Sequence, residues 1–259
     1  MLNRVSARFA VRLGILRTTS HMWSDTEYAV AAEPADLNGG LGSVLAVSPH
    51  LADAVAGCAD LLGRNAGSLV VTVFAGSPSA GSYGPQRNRR GVAADAAFAA
   101  RQEEDLLALY LLDASPVWLE FSDSHDGPRP RPDAIIDALA EQIARHSPDS
   151  VVFPLGLGAE QHRLVADACL RLCAGAPARR WIAYADPCAH ALARPCEPRR
   201  RDLRARGFVL DPLPGLPMSA RKGHAVDCYS RSPARDAPGE PLLGAVFLPE
   251  QYWQIRRHG

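Results

Sequence analysis

The stretch SVLAVSPHLADAVAGCADLL, residues 43–62, carries the decisive pattern. Val44 to Val47 is a short uninterrupted apolar run, as a strand covered on both faces requires. A loop follows, from Ser48 to Asp53. Then Val55, Cys58, Ala59 and Leu62 recur at helical spacing, with Asp53 placed to cap the helix. Strand, polar loop and helix in that order form the opening unit of a parallel α/β sheet.

The same alternation continues outward. Leu69 to Phe74 reads as a second strand and Ala93 to Leu112 as a long helix, after a Ser/Gly/Pro/Arg loop over 76–91. Val117 to Phe121 is a third strand. A Pro/Arg tract hands over to a helix from Asp133 to about Arg145. Ser150 to Phe153 is a fourth strand, Glu160 to Cys173 a helix, and Trp181 to Tyr184 a fifth strand. This order predicts a Rossmann-like three-layer α/β sandwich with a mostly parallel sheet over the domain 43–259. Residues 1–42 read as an N-terminal extension, whose arginines interrupt the apolar stretch that a secretory leader would keep clear. Beyond residue 186 the pattern is poor. Short strands or turns are expected there, with one helix near Lys222 to Tyr229. Arg199, Arg200, Arg201, Arg204 and Arg206 read as a solvated loop.

Composition narrows the classes. The 259 residues hold 28 basic and 28 acidic side chains, so the formal net charge is zero. Such a chain has no global electrostatic reason to bind nucleic acid or an anionic membrane surface. No apolar run approaches the roughly 20 residues of a membrane span. The six cysteines include no CxxC pair. A chain this long needs no disulfides to hold a core, so reduced thiols and a cytoplasmic setting are expected. GLG at 156–158 follows a strand and opens a helix, but Gln161 stands where a dinucleotide fingerprint needs its third glycine. No GxSxG occurs, which argues against a serine-nucleophile hydrolase.

In doubly wound sheets functional side chains gather at the carboxyl ends of strands where the strand order reverses. His50 and Asp53 follow the first strand, and His162 follows the fourth. In the common strand order those two strands are neighbours, so the three residues converge on one crevice. Two imidazoles and a carboxylate suit Zn²⁺ with a position left open. The alternative is that His50 merely ends a strand and His162 is a solvated helix residue.

Several segments, taken together, are similar to the PIG-L/LmbE-like family of N-acetyl hydrolases. SPHLADAV with Gly57-Cys58 resembles its opening metal motif, and LVVTVFAGSP (69–78) its second strand. RQEED (101–105) resembles the family's acidic helix, and WLEFSD (118–123) the strand after it. Pro154 to Leu157 with His162 to Val165 resembles "PLGL.H.DHrLv". Lys222, Ala225 and Tyr229-Ser230, then Glu250, Tyr252 and Trp253, resemble its C-terminal motifs. The resemblance implies a zinc-dependent N-deacetylase acting on an N-acetylated amino sugar or glycoconjugate. It implies His50, Asp53 and His162 as metal ligands, Asp123 as a carboxylate near substrate hydroxyls and Arg101 as a substrate-side arginine.

The departures fall on the family's acid/base positions. Ala52 stands where the family has its general base, Ala159 where it has an oxyanion-stabilising histidine, and Gln161 where an aspartate orients that histidine. Alanine cannot accept a proton, and loss of a general base removes about 10² to 10⁴ in rate. The chain is therefore expected to be an amide hydrolase with a substitute base, Glu160 being the nearest acidic residue in sequence. The alternative is a catalytically impaired or inactive relative that binds a sugar or a partner protein. Engineering of Ala52 alone would not account for Ala159 and Gln161, so natural divergence is the better explanation.

Overall fold

The computed structural model describes residues 37, 40–76, 94–123, 130–157, 159–186, 196–229 and 249–257. By its internal contacts the chain divides into Met1–Glu33 and Pro34–Gly259, and every element below belongs to the second unit. Most of the loop read over 76–91, together with Cys188 and Ser230, lies outside the described residues.

The described elements are β1 (Val44–Ser48), α1 (Asp53–Leu62), β2 (Leu69–Thr72), α2 (Ala94–Leu111), β3 (Ser115–Trp118), α3 (Pro132–His146), β4 (Ser150–Pro154), α4 (Glu160–Gly175), β5 (Arg180–Tyr184), α5 (Glu197–Ala205), β6 (Phe208–Leu213), α6 (Ala220–Asp227) and β7 (Tyr252–Arg257). The strands form one sheet in the order β3-β2-β1-β4-β5-β7-β6. Strands β1 to β5 run parallel. β7 runs antiparallel to both β5 and β6. The fold is the mostly parallel α/β sandwich that the alternation predicts.

Each face of the sheet carries its own apolar layer. On one side Ala46, Val70 and Ile182 pack with Val55 and Leu61 of α1, Leu109 of α2 and Val226 of α6. On the other, Leu45, Val71 and Phe153 pack with Leu139 of α3, Val165 and Cys169 of α4 and Leu203 of α5. β1 and β4 are buried at every position, which is why they read as unbroken apolar runs. Gly57 is required by close approach: a Cβ there would lie 2.6 Å from the Tyr184 ring.

Three expectations are corrected. Asp53 does not cap α1; the N-cap is Ala52, and Asp53 is the first helical residue, its carboxylate turned back to accept the His50 N–H. The third strand starts and ends earlier than Val117 to Phe121, because beyond Trp118 the chain leaves the parallel ladder and Glu120 meets Phe74 in an antiparallel bridge. The arginine tract is a helix rather than a solvated loop. Arg199 is 5% exposed, donates from Nε to the Leu155 carbonyl at 3.0 Å, and reaches Asp202 and Asp167 at 2.7 Å each. Counter-charges from α4 and from within α5 neutralise it, so the arginine can be buried.

The chain's single lysine, Lys222, is buried beside Glu250, with Nζ 2.9 Å from Oε1 and 4.0 Å from Asp60 Oδ2. Glu250 also accepts the Asp60 N–H at 3.0 Å and the Tyr252 hydroxyl. Asp60 Oδ1 accepts the Ser219 N–H at 2.8 Å. One network thus ties α1, the start of α6 and the approach to β7. Removing one partner of a buried pair leaves the other charge uncompensated. We expect Lys222→Met to lower unfolding stability by about 3–5 kcal/mol in urea titration, far more than an arginine-to-methionine change at exposed Arg145.

Candidate metal centre

The site is built where β1 and β4 lie side by side. At the end of β1, Ser48 Oγ donates to the His50 carbonyl at 2.6 Å and accepts the Ala54 N–H at 2.9 Å, which folds the loop tightly back onto α1. The His50 ring stacks on Phe74, with centroids 5.4 Å apart. Asp53 enters from the first turn of α1 and His162 from the first turn of α4.

His50, Asp53 and His162 each offer a ligand atom, and these atoms all lie within 4.8 Å of one another. His50 Nδ1 and His162 Nε2 each stand 3.2 Å from Asp53 Oδ2. Two imidazole nitrogens and a carboxylate oxygen facing one point suit a borderline-soft divalent ion such as zinc. Both outer ring nitrogens are held by carboxylates. His50 Nε2 lies 2.9 Å from Asp123 Oδ2, and His162 Nδ1 lies 2.7 Å from Asp186 Oδ1. Such partners fix the ring's orientation and tautomer around a metal. Asp186 is fully buried, and its Oδ2 accepts the N–H groups of Gly156 and Leu157 at 2.8 and 2.9 Å. Gly156 is left-handed at φ 82°, which turns those two N–H groups toward the carboxylate.

Sequence reasoning missed Asp186. Its position just past the fifth strand was a usable signal, since strand-end carboxylates face the same crevice.

The other expected site residues are placed as follows. Asp123 lies beyond β3, with its side chain 38% exposed, and Gln161 of α4 donates to its Oδ1. Gln161, which replaces an acidic residue of the family pattern, therefore bridges the crevice from α4 to the exit of β3. Arg101 is exposed on α2. Glu160 is exposed at the start of α4, two positions before His162. A hollow of about 640 Å³ around Arg179, Arg180 and Asp149 lies at the opposite, amino-terminal end of the central strands and is lined by none of these residues.

Residues 45–173 match the family model PIG-L, described as GlcNAc-PI de-N-acetylase. Through this segment the chain belongs to the PIG-L/LmbE-like family. A comparison with curated proteins returns no match. Among solved structures, the teicoplanin-pathway deacetylase Orf2 as a triple mutant has a TM-score of 0.65 and 24% identity, covering 83% of this chain and 98% of its own. Its zinc-inhibited form gives 0.64 and 21%, with the same coverage. The A40926 pseudoaglycone deacetylase Dbv21 gives 0.63 and 22%, covering 84% and 98%. The same architecture is found in GalB, the 4-carboxy-2-hydroxymuconate hydratase of Pseudomonas putida KT2440, at TM-score 0.58, 16% identity and coverage of 83% and 96%. At these identities the likeness is one of fold.

Charge at the site is strongly coupled. Burial alone would lower the His50 pKa, but the carboxylates of Asp123 and Asp53 outweigh it and hold the imidazole up to about 9. Burial likewise opposes protonation of His162, and Asp53 and Asp186 override it upward. Asp53 is pushed up by burial and, more strongly, down by His162 and His50, so it stays ionised. A histidine whose folded pKa is raised contributes stability below its unfolded value and loses it as pH rises through the folded value. For His50 that window runs from 6.5 to about 9. We expect the urea midpoint of chelator-treated protein to fall across that pH range, and the fall to shrink in His50→Ala.

Proposed function

We propose that this protein is a zinc-dependent N-deacetylase-type member of its family, acting on an N-acetylated amino sugar or glycoconjugate. The observation that carries the reading is the convergence of His50 Nδ1, Asp53 Oδ2 and His162 Nε2, each histidine backed by its own carboxylate. When bound there, a divalent ion supplies Lewis-acid polarisation of an amide carbonyl and of water. The chain's own residues do the rest. Asp53 stays anionic and balances the ion's charge. Asp123 and Asp186 keep the two imidazoles aimed inward. Asp123 also faces the open side of the crevice, where it is suited to accept sugar hydroxyls, and Arg101 is assigned to the substrate side. Ala52 cannot take a proton. Glu160, on the same turn as His162, is therefore assigned as the proton acceptor. Four buried free thiols, Cys58, Cys169, Cys173 and Cys196, support a cytoplasmic setting. Among the described residues no helix is long and apolar enough to cross a membrane.

A second reading is favoured by Ala52, Ala159 and Gln161: a relative that binds a metal and a sugar, or a partner protein, with little turnover. Metal content of the purified protein, measured together with acetate release from N-acetylglucosamine derivatives, separates the two.

Ala52 has a left-handed backbone, φ 77° and ψ −17°. Aspartate tolerates that conformation better than most residues, so Ala52→Asp introduces a carboxylate with little backbone cost. We expect Ala52→Asp to raise acetate release by at least about 10²-fold if the scaffold is otherwise competent. No gain in a folded, zinc-loaded variant favours the second reading. Independently, Asp186→Ala should weaken zinc binding by about 10- to 100-fold in chelator competition.

A further inference from the structure

Ala52 lies between the two ligands of the β1–α1 loop, directly before Asp53. Its left-handed φ of 77° is a conformation that disfavours an alanine. Ala52 offers no side-chain hydrogen bond of its own to hold the turn. Its N–H donates to Asp105 Oδ1 at 3.0 Å. That same oxygen accepts the Tyr229 hydroxyl at 2.8 Å, while Oδ2 accepts Trp118 Nε1 at 3.2 Å. Asp105 is 2% exposed and belongs to α2, outside the metal centre. Among the described residues it has three neutral donors and no ion pair. A carboxylate is costly to bury this way, since only hydrogen bonds offset its lost hydration.

We propose that Asp105 is the positioning residue of the metal loop. By accepting the Ala52 N–H, it holds the left-handed turn that aims His50 and Asp53 at one point. It thereby sets the site's affinity for a divalent ion without being a ligand. Tyr229 and Trp118 brace the carboxylate from the end of α6 and from β3, so the turn is referenced to two elements outside the loop. The inference rests on reading His50, Asp53 and His162 as a metal site, but the holding of the turn is measurable without metal.

The test uses the full chain and three variants: Asp105→Asn, Ala52→Gly and the double variant. A carboxamide has one acceptor atom where three donors arrive on two, so Asp105→Asn must fail at least one of them. Three quantities are read: exchange of the Ala52 amide in chelator-treated protein by NMR, zinc affinity by chelator competition, and the visible spectrum of the Co²⁺-substituted protein. We expect Asp105→Asn to speed Ala52 amide exchange at least tenfold, to weaken zinc binding by about 10- to 100-fold and to alter the Co²⁺ spectrum. Glycine adopts the left-handed conformation at no steric cost, so Ala52→Gly added to Asp105→Asn should recover most of the lost affinity. A purely structural role would lower the unfolding midpoint and leave affinity, spectrum and rescue unchanged, and that result overturns the proposal. If the wild-type protein takes up no zinc, the metal reading fails by itself. Amide exchange then decides: faster exchange in Asp105→Asn supports the turn-holding role, and equal exchange overturns it. Should Asp105→Asn not fold, an Ala52 amide that exchanges in the wild-type protein as freely as an exposed one likewise overturns the proposal.

Discussion

The parallel pairing of β1 with β4, Val44 to Ala46 against Ser150 to Val152, is the constraint on which the site depends. β1 leads on to α1, and its next strand, β2, lies on one side; β4 leads on to α4, and its next strand, β5, lies on the other. The chain therefore diverges to both sides of this seam and leaves a crevice at its carboxyl end. His50 and Asp53 come from one lip and His162 from the other. Both strands are buried at every position, so apolar packing on both faces of the sheet holds that seam.

Around the seam, buried charge is handled by pairing. Asp186 is satisfied by two backbone N–H groups and His162, and Asp53 by the two histidines. Lys222, Glu250 and Asp60 form a second closed network that joins late elements to α1. In each case partners from distant parts of the sequence compensate desolvation that none of the groups could sustain alone. The polar interior is consequently a set of cross-links between the lips of the crevice and the helices behind them.

The crevice combines a His/Asp/His group that could hold a metal ion with an alanine, Ala52, directly before Asp53. The backbone at Ala52 keeps a left-handed turn that suits aspartate or asparagine better than alanine. Gln161 and Asp123 now meet across the crevice, where the family pattern has an acidic residue at the glutamine's position. The presence of a hydratase on the same architecture makes the general point that fold and chemistry are independent.

Much of this was legible in the residues alone. Apolar runs at Val44 to Val47 and Ser150 to Phe153, each followed by a helical period, define a parallel sheet because only strands covered on both faces read that way. The same logic brings His50, Asp53 and His162 together, since strand ends in such a sheet share one side. What periodicity could not reach were features made by partners far apart in sequence. The helix at Glu197–Ala205 looked like a solvated arginine loop, because Asp167 and the Leu155 carbonyl, which let Arg199 be buried, are distant in the chain. The antiparallel pairing of β6 and β7 bridges a long connection without a readable turn. Asp186 and Asp105 are ordinary acidic residues until the fold aims one at His162 and the other at the Ala52 N–H. Local spacing therefore determined the sheet and the meeting of His50, Asp53 and His162, whereas tertiary packing decided which buried carboxylates brace those side chains, because a hydrogen bond's partner is set by position in space and leaves no period in the sequence.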